Sequence, residues 1–359
     1  MDIGIVGGGI TGLAAAIAFR QTGHRVTVYE QAPKFTEVGA GIALPPNALT
    51  CLRILGLRDR FPAHPLSTAP ATICDQRGKI LVRATLAQFT GGTEFVVAHR
   101  AALIDALVSQ LPQHCLRPAH TVTAVTSDGR VTTQHDTDSF DLVIAADGVN
   151  SVVRQTLWPT YTPRRTGIIA WRWILDQTPD SFGFFLGQHA EFGLLPLGLD
   201  KTYAYGGARP GHTDLDAYRN WPAPISHAIA HHDPDRLITN ELLELHPPRQ
   251  LATGAVVLLG DAAHAMRPTF GQGAALGLED AITLAYHGRA AYLRRRRRML
   301  AMYLASRHGT WFNTPKYRLL TLARNTALQV MPNPIFTALV GNASRWTPPG
   351  RDTCVTSSR

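Results

Sequence analysis

Apolar and polar runs along the first 35 positions fall in the order strand, turn, helix, strand. "DIGIV" is a short apolar run closed by glycines, "TGLAAAIAFRQTG" is an alanine-rich stretch ending at Gly23, and "RVTVYEQ" is apolar again. A short apolar run, a glycine turn and a helix stopped by glycine predict a compact βαβ unit. After the glycine-rich "EVGAGI", the pattern predicts a helix over "ALPPNALTCLRILGL" and a hairpin over "ATICDQRGKILVRA", turning near Arg77 and Gly78. "RAALIDALVSQL" reads as helix, "HTVTAVTSDGRVTTQH" as short strands and "FDLVIAADG" as a strand. From about residue 165 to 210, β-type alternation dominates "TGIIAWRWIL", "SFGFFLG", "FGLLPLG" and "TYAYGGA", which predicts one face of a mixed sheet. "GAVVLLGDAAH" is a buried strand running into a loop, and "AALGLEDAITLAYHG" is a helix. "KYRLLTLARNTALQVMPNPIFTALVG" is helical with a break at Pro332 and Pro334, and the closing "TPPGRDTCVTSSR" is expected to fray.

Length and composition narrow this picture. A chain of 359 residues exceeds one ordinary core, so two joined domains are expected. Cys51, Cys74, Cys115 and Cys354 lie far apart with no C-x-x-C pair, which points to a reducing compartment and no structural metal. With no leader-type opening and no apolar run of membrane-spanning length, the reading is a cytoplasmic protein without integral membrane association. The net charge of +9 includes five consecutive arginines, Arg294 to Arg298. Five successive helical residues point all round the axis, so they predict a solvated helix, and no nucleic-acid-binding signature accompanies them. The charge can still steer anionic cofactors.

In "GGGITG", Gly7, Gly9 and Gly12 fit G-x-G-x-x-G after a strand and at a helix start. The glycines permit a tight turn, close approach of backbone to a pyrophosphate and close helix packing. Glu30 ends the second strand 18 residues after Gly12, where a carboxylate can accept from ribose hydroxyls. The combination predicts dinucleotide binding. In "GDAAHAMRPTFGQG", Asp261 lies three positions before His264, but neither a serine nor a cysteine stands in a nucleophile-elbow frame, so a hydrolytic triad is not expected.

Three segments, "GIVGGGITGLAAAIAFRQTGHRVTVYEQ", "DLVIAADGVNSVVR" and "VVLLGDAAHAMRPTFGQGAALGLEDA", resemble in order the three signatures of the class A FAD-dependent monooxygenases, the para-hydroxybenzoate hydroxylase family. The match spans residues 2 to about 285. The chain looks most like the salicylate, urate and alkyl-quinolone hydroxylase group, with "GAGIALPPNAL", "WPTYTPRRTGIIAWRW" and "RNTALQVMPN" closest to the alkyl-quinolone type. The resemblance implies an α/β fold: a Rossmann-like FAD-binding domain (ββα type, GxGxxG), a mixed β-sheet substrate domain and C-terminal helices. The expected division is a discontinuous FAD-binding domain at 1–70, 99–160 and 250–290, a substrate-binding sheet domain at 71–98 and 161–249, and a C-terminal helical region at 291–359 with a frayed tail. The join "AITLAYHGRAAYLRRRRRML" is shorter than the family's by about one hairpin.

Carried over by position, the resemblance puts Gly7, Gly9, Gly12 and Glu30 at the ADP half of FAD and Arg100 near its phosphates, unless Arg100 is a solvated first-turn residue. Asp147, with Gly148, matches a pair associated with FAD and pyridine nucleotide, followed by Ser151 and Arg154 in frame; a turn or cap role for Asp147 is the alternative. It implies that Asp261 bonds the ribityl chain, that Pro268 stiffens the loop beside the isoalloxazine, and that Gly271, Gln272 and Gly273 bring backbone N–H groups to the pyrimidine edge. Gly41 and Ala274 complete this cofactor set, and His264 keeps a loop or flavin-side position.

On the substrate side, period two sets Ala170, Arg172 and Ile174 on one face and Ile169, Trp171 and Trp173 on the other. Arg172 resembles an arginine that anchors a phenolate, or it lies on a solvent face; Tyr205, with Tyr203, can bond a substrate or serve packing. His189, His231 and His232 are expected in solvated loops. The implied function is an NAD(P)H-dependent FAD monooxygenase of secondary metabolism, with tightly but non-covalently bound FAD and O2 as co-substrate, hydroxylating a small aromatic or heteroaromatic compound through a flavin C4a-hydroperoxide. Epoxidation or antibiotic modification on the same scaffold, and a non-redox FAD-bound cyclase or binding protein, stay open. A monomer or homodimer is expected, with no nucleic acid and no metal.

Overall fold

The computed structural model describes residues 1–36, 40–60, 64–65, 70–89, 94–177, 182–198, 200–212 and 214–349. Cys354, most of the closing segment expected to fray and 37–39 of the glycine-rich "EVGAGI" lie outside them.

The opening unit forms as its pattern predicts: β1 (Asp2–Val6), α1 (Ile10–Gln21) and β2 (Arg25–Tyr29). β1 pairs in parallel with β2 and with Leu142–Ala145, so Ile3 is flanked by Val26 and Leu142. The sheet has six strands in the order Ala252–Thr253, Val256–Leu258, Leu142–Ala145, β1, β2, Leu116–Arg117, parallel except for the first, which pairs antiparallel. α1 is buried over most of its length because alanine, glycine and larger apolar residues fill the run Gly12 to Phe19. The long helix Gln272–Arg294 crosses α1 so closely that a Cβ on Gly277 would collide with Thr11. That close approach brings the starts of both helices to one end of the parallel sheet.

The second sheet has seven strands, in the order Ile238–Glu244, Arg164–Leu175, Lys201–Ala208, Ala190–Leu197, Gly183–Leu186, Pro70–Asp75, Ile80–Thr85. It is mixed, as the alternation predicts: only Gly183–Leu186 with Pro70–Asp75 is parallel. Trp171, Trp173 and Leu175 pack on one face with Tyr218, Ile225 and Ala228, while Tyr203, Leu195 and Leu197 belong to the core on the other face with Ala40 and Val97. A small sheet of Gly41–Leu44, Val96–His99 and His64–Pro65 joins that second core through Val97. A further three-stranded sheet holds Val122–Val125, Arg130–Thr133 and Thr137–Ser139.

The long helix contains one non-helical residue, Gly288, with φ 76° and ψ 174°. Helices Arg296–Asn313, Arg318–Val330 and Asn333–Gly341 follow, the last two separated at Pro332 as the proline pair predicts. The histidines expected in solvated loops divide. His231 is exposed at the end of helix Ala223–Ala230, whereas His232 is half-buried against Trp173. His189 is half-buried, stacked on His212 with ring centroids 4.3 Å apart, because the turn there holds it at φ 71°.

Candidate functional site

The three glycines of the first turn do different things. A Cβ on Gly12 would overlap the Gly7 carbonyl, and Gly7, at φ 105°, lies against the backbone of Ala146 and Asp147. Around the Cβ position of Gly9 there is nothing within 4 Å. Gly7 and Gly12 therefore serve close packing, while Gly9 borders open space at the start of α1, where backbone N–H groups and the helix dipole favour an anion. The Glu30 carboxylate accepts from Gly8 N and Ala32 N, each at 2.8 Å, which fixes it beside this turn.

Across the turn stands the loop that follows Val256–Leu258. Gly260, at φ 58°, swings the chain so that Asp261 begins a four-residue helix with its side chain exposed, without a hydrogen-bond partner among the described residues. Pro268 starts a 3-10 turn, and Gly271, at φ 62°, opens the long helix. A Cβ on Gly273 would lie 3.8 Å from Asp261 Oδ1, so the carboxylate and this helix start border the same space. The loop is held from behind. Arg267 Nε donates to Glu244 Oε2 at 2.8 Å with both side chains buried, and Thr269 Oγ1 donates to the Ser306 carbonyl at 3.0 Å.

The Gln272 side chain turns inward: its Oε1 accepts from Asn47 Nδ2 at 2.8 Å and its Nε2 donates to Ser344 Oγ at 3.2 Å. Its backbone N–H alone remains for a ligand at the helix start. Asn47 Nδ2 also donates to Glu279 Oε1 at 2.6 Å, while Asn47 Oδ1 is buried without a partner among the described residues. Glu279 in turn accepts from Arg295 and Arg298, and Asp280 from Arg295 and His264.

Two expectations are corrected here. The arginine run is not a uniformly solvated helix: Arg295 is buried because Glu279 and Asp280, two adjacent carboxylates inside the helix, require partners. Arg298 is part-buried on Glu279, and only Arg294 and Arg297 are exposed. His264 is not a flavin-side loop residue but fully buried, its Nε2 2.6 Å from Asp280 Oδ2 and its Nδ1 without a partner among the described residues. Burial alone would lower its imidazole, yet the Asp280 carboxylate outweighs it and raises the pKa. Asp280 is held low: the His264 and Arg295 charges overcome the burial that would raise it.

Asp147 takes the capping role among its two sequence readings. One oxygen accepts from Val153 N at 3.2 Å, a capping bond, while Oδ1 is buried without a partner among the described residues, and burial pushes the carboxyl up. The fully buried Arg154 ties this segment to the Asp261 loop, donating to the Val149, Tyr161 and Ala262 carbonyls at 2.6, 3.0 and 3.0 Å.

Strand Gly41–Leu44 stands between this loop and the seven-stranded sheet. A Cβ on Gly271 would lie 3.8 Å from Ala43 Cβ, and one on Gly41 would overlap the Tyr203 ring. Arg172 is directly paired with Tyr205, and Ile174 with Tyr203, so these four side chains share the sheet face toward that strand. Arg172 is half-buried there, not on a solvent face; it donates through Nη2 to Asn240 Oδ1 and leaves Nε buried without a partner among the described residues. Burial pushes the Tyr203 phenol up, against the pull of the Arg172 and Arg100 guanidiniums, which puts both cations within electrostatic reach of one ring. Arg100 opens its helix with its backbone N–H bonded to the Ala40 carbonyl at 2.9 Å. Glu191, on the same face, accepts from Asn313 at 2.7 Å, and burial raises its carboxyl.

Sequence reasoning missed Asn47, Glu191, Glu279 and Asp280. The last two carried a readable signal: a charged pair within "AALGLEDAITLA" must find cations if that helix is buried.

The orphaned Asp147 and Asn47 oxygens, the open space at Gly9 and the exposed Asp261 suit a polyhydroxylated, anionic ligand such as a flavin dinucleotide. Residues 1–311 match the family model described as FAD binding domain. The chain is 31% identical to the aurachin C monooxygenase/isomerase of Stigmatella aurantiaca, over 78% of this chain and 79% of that protein. It is 30% identical to the 2-heptyl-3-hydroxy-4(1H)-quinolone synthase of Pseudomonas aeruginosa, over 79% and 80%. The crystal structure of Klebsiella pneumoniae HpxO complexed with FAD and uric acid superposes with a TM-score of 0.85 at 26% identity, covering 96% of both chains.

Proposed function

The chain belongs to the class A FAD-dependent monooxygenases of the FAD binding domain family, and from that premise we propose that it hydroxylates a small heteroaromatic compound, with NADH or NADPH as reductant. The substrate class favoured is a planar ring bearing an acidic or carbonyl oxygen. The observation that carries this reading is the buried Nε of Arg172, without a partner among the described residues, beside Tyr203 and Tyr205 and one strand away from the glycine-lined loop. A buried guanidinium N–H without an acceptor costs free energy, and a substrate oxygen would satisfy it.

When bound, FAD supplies dioxygen activation; the reductant gives two electrons, one oxygen atom enters the ring and the other leaves as water. The protein binds, orients and shields. Gly7, Gly9, Gly12 and Glu30 would hold the adenosine and pyrophosphate end, with Arg100 near the phosphates and Asp147 beside them. Asp261 would hold the ribityl hydroxyls. Pro268 would stiffen the loop beside the ring, Gly271, Gln272, Gly273 and Ala274 would present backbone N–H groups and a positive helix end to its electron-rich edge, and Gly41 leaves room on the facing strand. Arg172 would hold the substrate oxygen in its deprotonated form by charge, and the aromatic wall of Tyr203 and Tyr205 would keep water from the ring carbon. The named quinolone synthase, aurachin monooxygenase and uric acid complex support a bicyclic heteroaromatic substrate. The division into a discontinuous cofactor domain and a sheet domain, with the boundaries given above, forms part of the same proposal.

The test is oxygen-isotope incorporation. The FAD-loaded protein is supplied with NADH or NADPH and labelled dioxygen across a panel of alkyl-quinolones, hydroxypyridine carboxylates and purines. One labelled atom in a product of one panel member is expected. Flavin that neither reductant bleaches anaerobically, with every panel member present, sinks the reading.

A further inference from the structure

We propose that the C-terminal helices seat the enzyme on an anionic phospholipid surface. Eight of the fourteen exposed large hydrophobic side chains among the described residues lie between residues 311 and 335. They include Trp311, Phe312, Tyr317, Leu319, Leu322 and Val330, the last three on helix Arg318–Val330 and 79%, 54% and 73% exposed. On that helix, Arg324 and Leu328 are buried against the body, while positions 319, 322, 323, 326 and 330 recur at helical spacing on the outer side. The outer side is thus Leu, Leu, Ala, Thr and Val, where a helix facing only water would be polar.

Charge selects the occupant. Residues 281–350 contain eleven Lys and Arg and no Asp or Glu. The rest of the chain, with 24 Lys and Arg against 26 Asp and Glu, is slightly acidic, so this segment carries the whole positive balance. Several of these cations are spent inside the fold, but Arg294, Arg297, Lys316, Arg318 and Arg345 are exposed. Lys316 and Arg318 flank Tyr317 directly, and Lys316 Nζ lies 5.7 Å from its ring centroid. A second copy would bring one segment rich in cations and without Asp or Glu against another. Nucleic acid would satisfy the charge but not the leucines. An anionic bilayer satisfies both, taking the apolar stripe and the aromatic rings into its interface while the cations meet lipid phosphates. No helix among the described residues is long and apolar enough to cross a membrane, so the contact is a surface seat.

The decisive experiment is flotation of the FAD-loaded protein with phosphatidylcholine vesicles, with and without phosphatidylglycerol. The protein should float only with phosphatidylglycerol, release as salt is raised, and shift its tryptophan emission to the blue. The double variant Leu319→Ser, Leu322→Ser should keep its flavin spectrum, since both side chains are exposed, and bind at least about tenfold more weakly. Wild-type protein left unbound by phosphatidylglycerol vesicles at low salt, or a variant that floats as well as wild type, overturns the proposal. So does a concentration-dependent dimer that the leucine substitutions dissolve and the vesicles leave intact, because the apolar face would then belong to a second copy.

Discussion

Arg295 Nη2 donates to Glu279 Oε2 at 2.8 Å where both side chains are shut from water, 7% and 0% exposed. The same guanidinium donates through Nε to Asp280 at 2.9 Å. One arginine bridges two adjacent carboxylates of the helix whose first residues border the cofactor space, and Arg298 and His264 share the remaining charge. Removing one partner of a buried pair leaves an uncompensated charge. Arg295→Met should therefore cost about 3–5 kcal/mol, whereas Arg297→Met, on the exposed side of the same run, should stay within about 0.5 kcal/mol. Urea unfolding of the two variants checks this, and equal losses would show that the run acts as a unit.

Gly9 and Gly12 should fail differently. A Cβ on Gly12 meets the Gly7 carbonyl, so Gly12→Ala should not yield folded protein. A Cβ on Gly9 meets nothing in the protein, so Gly9→Ala should fold with unchanged melting temperature and lose FAD affinity by ~10-fold, about 1.4 kcal/mol. Retained FAD affinity in Gly9→Ala would remove the pyrophosphate from this turn.

Asp261 is exposed, so Asp261→Ala should leave apoprotein stability unchanged while FAD binding weakens by about 1.5–3 kcal/mol, the range of hydrogen bonds to a charged acceptor. Occupancy read from the flavin absorbance decides. Full occupancy with no turnover would make Asp261 part of the chemistry instead of the cofactor grip.

Arg172→Met should leave FAD occupancy intact and raise KM for acidic substrates, with reductant consumption continuing as product yield falls. Comparing reductant consumed with product formed gives the answer, and an unaltered ratio with unaltered KM would return Arg172 to a packing role.

The His264 imidazole is raised above its ordinary value in the folded protein. The stability it contributes through Asp280 is fully present below the unfolded value of about 6.5 and is lost as pH rises through the folded value. The melting temperature should fall as pH rises above about 6.5, and His264→Gln should be less stable at lower pH and lack that decline. A parallel decline in the variant would assign it to other groups.

The opening βαβ unit, the mixed sheet and the helix break at Pro332 were legible because each rests on local chemistry: glycine at a turn, period-two alternation, a proline without an N–H. Arg172 was legible to the level of its face, since period two sets it opposite Trp171 and Trp173. The buried network was not. Arg295 and Glu279 are both charged, and no local rule says which member of "RRRRR" a distant carboxylate selects; that depends on how the long helix bends. His264 likewise reads as polar loop until the helix bearing Asp280 is laid across it. The inward turn of Gln272 toward Asn47 spans 225 positions, beyond any periodicity.

The bend at Gly288 turns the stretch between Asp280 and Arg295 into a gauge of length. Each residue added to a helix rotates everything beyond it by about 100°, so a single insertion after Asp280 would carry Arg295 round to the solvent and bring a neighbour into its place. Only glycine readily holds the positive φ found at the bend, and any side chain there would be strained even with space around it. Substitutions on the exposed part of the arginine run should pass unnoticed, while one-residue insertions and deletions between positions 281 and 294 should destabilise by turning the buried Ala291, Tyr292 and Met299 off the core, even though Arg294 or Arg296 then takes the place of Arg295. A deletion scan of that stretch would read out the gauge directly: the melting temperature should fall at each single deletion, and deletions that leave it unchanged would show that the bend takes up the shift.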